Sequence, residues 1–250
     1  MKEVKRPLTT TKAVILSAGI GSRIRPLTDN CPKTLLAVGG ITILERMLTN
    51  IQSAGINEIV VVVGYLHRQI EDFVRSMFPD LKVSFVINTR FDETNTGYSL
   101  MLASNFIAGS SFVKFDGDVV FEEEILRRLL TSEEADCLCI DRNIQLESEE
   151  VKVILSDDTQ IIQVGKEIPP SEAIGESIGI EKISGTTASL LFTELKLMMQ
   201  DEKHHQEYYE GAYERLIANN VTFHAVDITG LNWTEIDTRN DFDTAEKIFG

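Results

Sequence analysis

Residues 14–36 read VILSAGIGSRIRPLTDNCPKTLL. The stretch begins inside an apolar run, 13–17, whose length and flanks predict a buried strand. That run passes straight into Gly19-x-Gly21-x-Arg23. Glycines let a backbone turn sharply and bring its N–H groups close to phosphate oxygens. Arg23, Arg25 and Lys33 add cations to the same loop, and Pro26 and Pro32 stiffen it. Arginine can fork onto phosphate oxygens, while lysine acts as a point charge. Two better-known phosphate loops do not fit. A dinucleotide fingerprint wants a third glycine where Ile24 stands, and a GxxxxGK[ST] loop is absent. A purely structural turn stays open for the bare Gly19-x-Gly21 pair.

Outward from this loop, strands and helices alternate. Strands are expected at 58–63, 81–87 and 111–115, and helices at 43–51, 67–77, 98–106 and 122–130. This order predicts an α/β fold, a Rossmann-like three-layer α/β/α arrangement around a mostly parallel, mixed central sheet. The second half differs. Runs at 135–140, 151–155, 161–164 and 177–183 predict strands joined by turns, an antiparallel extension. Helices near 185–199 and 206–218 follow, then strands at 221–226 and 233–236 and a last helix opened by Thr238-x-x-Asp241, a weaker relative of the capping box. One continuous domain is expected over 1–250. Its nucleotide-binding half covers about 11–134, its acceptor part about 135–237, and its terminal helix 238–250.

Composition narrows the partners. With 250 residues, 43% hydrophobic, the chain can bury a sizeable core. The formal charge of −15 argues against a nucleic-acid backbone or an anionic membrane as partner. It also means that any triphosphate site needs local cations and a metal. Cys31, Cys137 and Cys139 form no disulfide framework and suit a reducing cytoplasm. Cys137 and Cys139 are expected on one face of a strand as small core residues. The N-terminal MKEVKRPLTT has no apolar leader, and no run reaches the ~18 apolar residues of a membrane span. A cytoplasmic location is expected. Oligomeric state stays open, a homodimer included.

The combination GxGxRxxPLT…PK resembles the signature loop of the nucleotidyltransferase superfamily, which makes sugar nucleotides and CDP-alcohols. The likeness runs nearly the whole chain. It implies that Leu16, Ala18, Gly19, Gly21, Ser22 and Arg23 bind the nucleotide. It also implies that Arg23 and Lys33 are catalytic, with Lys33 near the α-phosphate stabilising charge in the transition state. The stretch NTRFDETNTGYSL, 88–100, starts where a strand gives way to loop and helix, the place where open α/β sheets bind ligands. Asn88, Asn95, Thr96 and Ser99 offer donors and acceptors for a pyrimidine edge, or ordinary turn and cap chemistry. The segment is similar to the base-binding segment of cytidylyltransferases that act on phosphorylated alcohols. The GTA-type tripeptide usual in sugar-phosphate uridylyl- and thymidylyltransferases is missing.

Asp116-Gly117-Asp118 ends one apolar strand and Glu235-x-Asp237 ends another. Residues i and i+2 of a strand share a face, so each pair is expected to aim two carboxylates at one point. Solvated strand ends are the bland alternative. The resemblance makes Asp118, Glu235 and Asp237 ligands of Mg²⁺, which prefers oxygen donors and bridges carboxylates to phosphates. It assigns Asp116 to the nucleotide, with ribose or acceptor contact open. Lys166, Lys152 and Arg142 are candidate partners of an acceptor phosphate, in that order. Tyr208, Tyr209, Tyr213 and Trp233 are core residues or a cation–π wall for a trimethylammonium group. His204 and His205 read as a surface pair. No GxSxG elbow supports a serine hydrolase.

The implied reaction is attack of an acceptor phosphate or phosphonate oxygen on the α-phosphorus of CTP. Candidate acceptors are inositol phosphate, phosphocholine, 2-aminoethylphosphonate or a relative. Two alternatives remain: a sugar-1-phosphate nucleotidyltransferase using UTP or dTTP, and a non-catalytic nucleotide-binding module.

Overall fold

The computed structural model describes residues 11–107, 109–156 and 159–250, so the amino-terminal stretch read for a leader lies outside them. In chain order the elements are β1 (Lys12–Ser17), the short pair β2 (Ala37–Val38) and β3 (Ile41–Thr42), α1 (Ile43–Ser53), β4 (Glu58–Val63), α2 (His67–Met77), β5 (Lys82–Ile87), α3 (Thr96–Leu102) and α4 (Ser104–Ile107). Then come β6 (Phe112–Asp116), β7 (Val119–Phe121), α5 (Glu123–Thr131), β8 (Cys137–Asp141), β9 (Lys152–Leu155), β10 (Gln160–Gly165) and β11 (Gly175–Ile183). The chain ends with α6 (Gly185–Met198), α7 (Glu210–Ala218), β12 (Phe223–Asp227), β13 (Trp233–Glu235) and α8 (Arg239–Phe249).

Strand alternation builds the three layers. In β1, Val14 and Leu16 face one layer and pack with Leu100 of α3, Leu191 of α6 and Ala212 of α7. Ala13 and Ile15 face the other, against Leu44 of α1, Ile70 of α2 and Leu126 of α5. Each fully buried aliphatic side chain stabilises the fold by about 1.5–3 kcal/mol. Cys137 and Cys139 lie together in that second core, and burial pushes both thiols up. Helix α8 covers a smaller third cluster with Ile24, Val38 and Ile236. Its Thr238–Asp241 capping box forms with both bonds in place.

The nine-stranded sheet has the order β5-β4-β1-β6-β11-β8-β12-β10-β9. Strands β5, β4, β1 and β6 are parallel neighbours. The second half does more than extend this sheet at its edge. Strand β11 lies antiparallel between β6 and β8, in the middle of the sheet. Strand β12 is parallel to β8, while β10 and β9 complete the far side antiparallel, with β9 also pairing to β11.

Two helix expectations change. The helix expected at 98–106 divides into α3 and α4 at Ala103. The helix expected from 206 begins only at Glu210, because the backbone before it is committed elsewhere. The His205 and Glu207 carbonyls accept from the Asn95 and Gly97 amides at 2.8 and 3.3 Å. His205 is correspondingly buried, with Nε2 at 2.9 Å from the Met199 carbonyl, and is not half of a surface pair.

Parallel register brings the functional loops to one edge. Ser17 pairs with Val63, Val63 with Ile87, and Leu16 with Asp116, so β1, β4, β5 and β6 release their loops side by side. At Gly117 the chain folds back on β1, and its amide donates to the Leu16 carbonyl at 2.9 Å. A Cβ there would lie 2.5 Å from that carbonyl oxygen and would also collide with Ser17 Oγ. Gly117→Ala should therefore cost about 1–3 kcal/mol of stability, read by urea denaturation; an unchanged midpoint would contradict this packing.

Candidate active site

The loops at this edge line a cleft of about 990 Å³. The residues expected to bind nucleotide phosphates do converge on it: Leu16, Ala18, Gly19, Gly21, Ser22, Arg23 and Lys33 all contribute. The two glycines differ in role. Gly21 sits in the left-handed region at φ 67°, and a Cβ there would press on Thr28 and Lys33 at 3.1–3.2 Å. Thr28 Oγ1 also donates to the Gly21 carbonyl at 2.7 Å, so Gly21 fixes the turn. A Cβ on Gly19 would meet nothing within 4 Å, so that backbone lies open to a ligand.

Asp118, Glu235 and Asp237 come together across more than a hundred residues of chain. Strand β13 pairs antiparallel with β7, Glu235 opposite Val119, and the Ile236 amide donates to the Asp118 carbonyl at 3.0 Å. One ligand oxygen from each carboxylate then lies within 4.8 Å of the others. Lys33 Nζ stands among them, 2.5 Å from Asp118 and 2.8 Å from Asp237. Arg23 reaches Asp237 at 2.6 Å. Burial works against the Lys33 charge, but Asp118 and Asp237 hold its pKa above the usual lysine range. Asp237 is held low against its own burial by Lys33 and Arg23. Burial, Asp118 and Asp237 push Glu235 well above the carboxylate range, and the smaller opposing pull of Lys33 does not offset them. Oxygen donors with this surplus of negative charge fit a divalent cation.

Asp116 departs from the expected pairing with Asp118. Strand β6 ends at Asp116, the chain turns at Gly117, and the two carboxylates separate. Asp116 Oδ2 accepts from Lys114 Nζ at 2.9 Å and from the Tyr209 hydroxyl at 2.6 Å. Its Oδ1 has no hydrogen-bond partner among the described residues, and the residue lines the cleft. Lys114 is fully buried, ion-paired to Asp116 and to Glu181 at 2.9 Å, with Nζ 3.6 Å from the Tyr209 ring centroid. Burial would discharge Lys114, but Asp116 and Glu181 keep its pKa raised. Burial pushes Glu181 up to about 8. Sequence reasoning missed this lysine. Its signal is a charge inside the apolar run FVKF, two residues before Asp116 and so on the same strand face.

On the base side, Asn95, Thr96 and Ser99 line the cleft, joined by Phe91 and Thr94, which were not singled out. Asn95 caps α3 through its own Oδ1 to the Thr96 amide at 2.8 Å. Asn88 does not line the cleft. It is buried, donating to Thr94 and Ser99 at 3.0 and 3.1 Å and accepting from the Arg90 amide at 2.9 Å. A carboxamide so engaged shapes the loop and leaves little to read a base.

The acceptor candidates separate. Lys166 lines the cleft, its Nζ 4.7 Å from the Tyr208 ring centroid. Lys152 is a correction: it is fully buried, and its ammonium donates to the Glu147, Ser148 and Glu150 carbonyls at 2.9–3.4 Å. Arg142 is a second correction, since it lies outside the cleft lining and pairs with Asp227 at 3.5 Å. Of the aromatics, Tyr213 is core, while Tyr208, Tyr209 and Trp233 line the cleft. Glu176, Asp141 and Glu150 line it too and were not anticipated.

The family model for nucleotidyl transferases matches residues 12–172. The CTP:phosphoglutamine cytidylyltransferase of Campylobacter jejuni is 28% identical over 250 residues, 92% of this chain and 97% of that one. The choline-phosphate cytidylyltransferase of Streptococcus pneumoniae is 35% identical over 120 residues, 48% of this chain and 50% of that one. Among solved structures, the inositol-1-phosphate CTP transferase from T. maritima superimposes with a TM-score of 0.80 at 19% identity, covering 96% of each chain, which demonstrates the shared fold.

The buried lysine gives a stability test. Lys114→Met leaves Asp116 and Glu181 without their cation and should cost about 3–5 kcal/mol. Equilibrium denaturation at wild-type levels would show that Lys114 does not hold this carboxylate pair.

Proposed function

The chain belongs to the nucleotidyl transferase family, and on that premise we propose that it transfers CMP from CTP to a phosphorylated small alcohol or a phosphonate, releasing pyrophosphate. The product is a CDP-alcohol or a CMP-phosphonate. The observation that carries this reading is the position of Lys33, an ammonium between the Asp118 and Asp237 carboxylates in the same cleft as the open Gly19 backbone. The relatives named above act with CTP, and the segment from Asn95 to Ser99 supplies the polar lining for a small base.

An oxygen of the acceptor phosphate attacks the α-phosphorus of CTP. A new P–O bond forms, the bond to the bridging oxygen breaks, and pyrophosphate leaves with that electron pair. The acceptor is already ionised, so the protein needs no general base. Its contribution is positioning and charge stabilisation. Asp118, Glu235 and Asp237 would hold Mg²⁺, which supplies neutralisation of the phosphate chain when bound. Lys33 and Arg23, now paired with Asp118 and Asp237, would be available to the phosphate oxygens with the metal bound. The Gly19 amide region receives the triphosphate, and Asp116 Oδ1, held by Lys114 and Tyr209, accepts from a hydroxyl of the bound nucleotide or acceptor. A cytoplasmic site of action agrees with the free thiols, and among the described residues no helix is long and apolar enough to cross a membrane.

Two measurements test this. Pyrophosphate release should require Mg²⁺ and favour CTP over UTP and dTTP across a panel of phosphorylated alcohols and phosphonates. Chelation with EDTA should abolish it without unfolding the protein, and a preference for UTP or dTTP with a sugar-1-phosphate would replace the assignment. Lys33→Ala and Asp118→Ala should each lower turnover by roughly 10²-fold or more, as loss of a charge stabiliser does. Near-normal turnover in folded Lys33→Ala protein would sink the proposal.

A further inference from the structure

Glu176 is an anomaly on the acceptor side of the cleft. It is 5% exposed, it lines the cleft, and its Oε2 has no hydrogen-bond partner among the described residues. A buried acceptor without a donor is costly, and native proteins rarely leave one unmatched. Strand register puts Glu176 opposite Asp141 of β8 and Lys152 of β9. Neither neighbour donates a hydrogen bond to it among the described residues, and the positive charges of Lys152 and Lys166 offset its burial only in part. Asp141 adds another carboxylate, with Oδ2 accepting from Trp233 Nε1 at 2.8 Å and Oδ1 from the Asn143 amide at 2.9 Å. The Lys152 ammonium is turned to three backbone carbonyls. Lys166 stands over the Tyr208 ring and forms no ion pair with Glu176 among the described residues. Glu150 adds further negative charge, and burial with Glu150 and Asp141 pushes Glu176 up to about 8.

We infer that the acceptor bears an ammonium group with N–H donors, and that Glu176 is the carboxylate that binds it. This rests on the reading of the cleft as the site of CMP transfer. The phosphate or phosphonate end of the acceptor is drawn to the cations Arg23 and Lys33, and Glu176, Asp141 and Glu150 line the same cleft, open to the other end of the molecule. A neutral polyol can donate to Oε2 but brings no positive charge to hold Glu176 ionised against its burial. A trimethylammonium compensates charge but has no hydrogen to donate. A primary or secondary ammonium does both, and Tyr208 and Trp233 beside it give aromatic surface that favours a cation. Glu176 thus selects the acceptor and takes no part in bond breaking.

The test uses matched acceptors that differ only at nitrogen: ω-aminoalkyl phosphonates of two to four carbons and the corresponding phosphorylated amino alcohols. Each is compared with its N-acetyl, N-trimethyl and unsubstituted alkyl counterparts. Pyrophosphate release with CTP and Mg²⁺ is measured for wild type and Glu176→Gln. Calorimetric binding of each compound in the presence of a non-hydrolysable CTP analogue gives a readout independent of turnover. In wild type the best ammonium compound should exceed its N-acetyl and trimethyl forms by about thirty-fold or more in kcat/KM, the scale of a buried charged hydrogen bond. In Glu176→Gln that ratio should collapse towards one, through acceptor KM, with KM for CTP unchanged. Equal or better use of the acetylated or trimethylated forms by wild type overturns the inference whether or not the variant folds. An undiminished preference in folded Glu176→Gln protein also overturns it. If CTP yields no pyrophosphate with any compound, the transferase reading fails. The calorimetric ratio then decides the ammonium site by itself: a thirty-fold preference supports it and parity overturns it.

Discussion

Three carboxylates that share a few ångströms of partly buried space need positive charge among them or a retained proton on one of them. Asp118, Glu235 and Asp237 do share such a space, and the protein meets the constraint with Lys33 and Arg23. Much of the architecture serves that meeting. The sheet edge supplies Asp118, the pairing of β13 with β7 supplies Glu235 and Asp237, and the left-handed turn at Gly21 leaves room for the Lys33 side chain that packs against it. The same cations are the groups a triphosphate needs.

Beneath the cleft floor lies a second charge cluster of different character. Lys114, Asp116 and Glu181 are held in the sheet, with Tyr209 joining from the start of α7. This arrangement binds β6 of the first half to β11 of the second and to the helix behind the acceptor side. Glu181 faces Lys114 because the two are register partners across β6 and β11. A substitution in the acceptor half can thereby reach the DGD turn through hydrogen bonds as well as through packing.

The acceptor side is built on another balance. Its carboxylates outnumber the cations that face them, since Lys152 is spent on backbone carbonyls. The lining near Lys33 is poised for anionic phosphate, and the lining near Glu176 is poised for positive charge.

By itself the sequence determined the class of fold and the glycine-rich loop that lines the cleft. Apolar runs with strand length, alternating with helical periods, suffice for the three-layer α/β arrangement, because that periodicity is a local property. Gly19, Gly21, Arg23 and Lys33 were legible for the same reason: the loop's chemistry lies within twenty residues. The capping box at Thr238 was also local. What only the tertiary structure decided is which groups remain free. Asn88, Lys152 and Arg142 have suitable chemistry, yet the first two are consumed by neighbours in the loops beside them, and Arg142 pairs with Asp227 outside the cleft. Asp116 and Asp118 have adjacent positions and different partners, because Gly117 turns the chain between them. Lys114 and Glu176 drew no reading from the sequence, and strand order buries both. A side chain's availability depends on what strand pairing brings to it, and pairing between strands far apart in the chain leaves no trace in the spacing of either one.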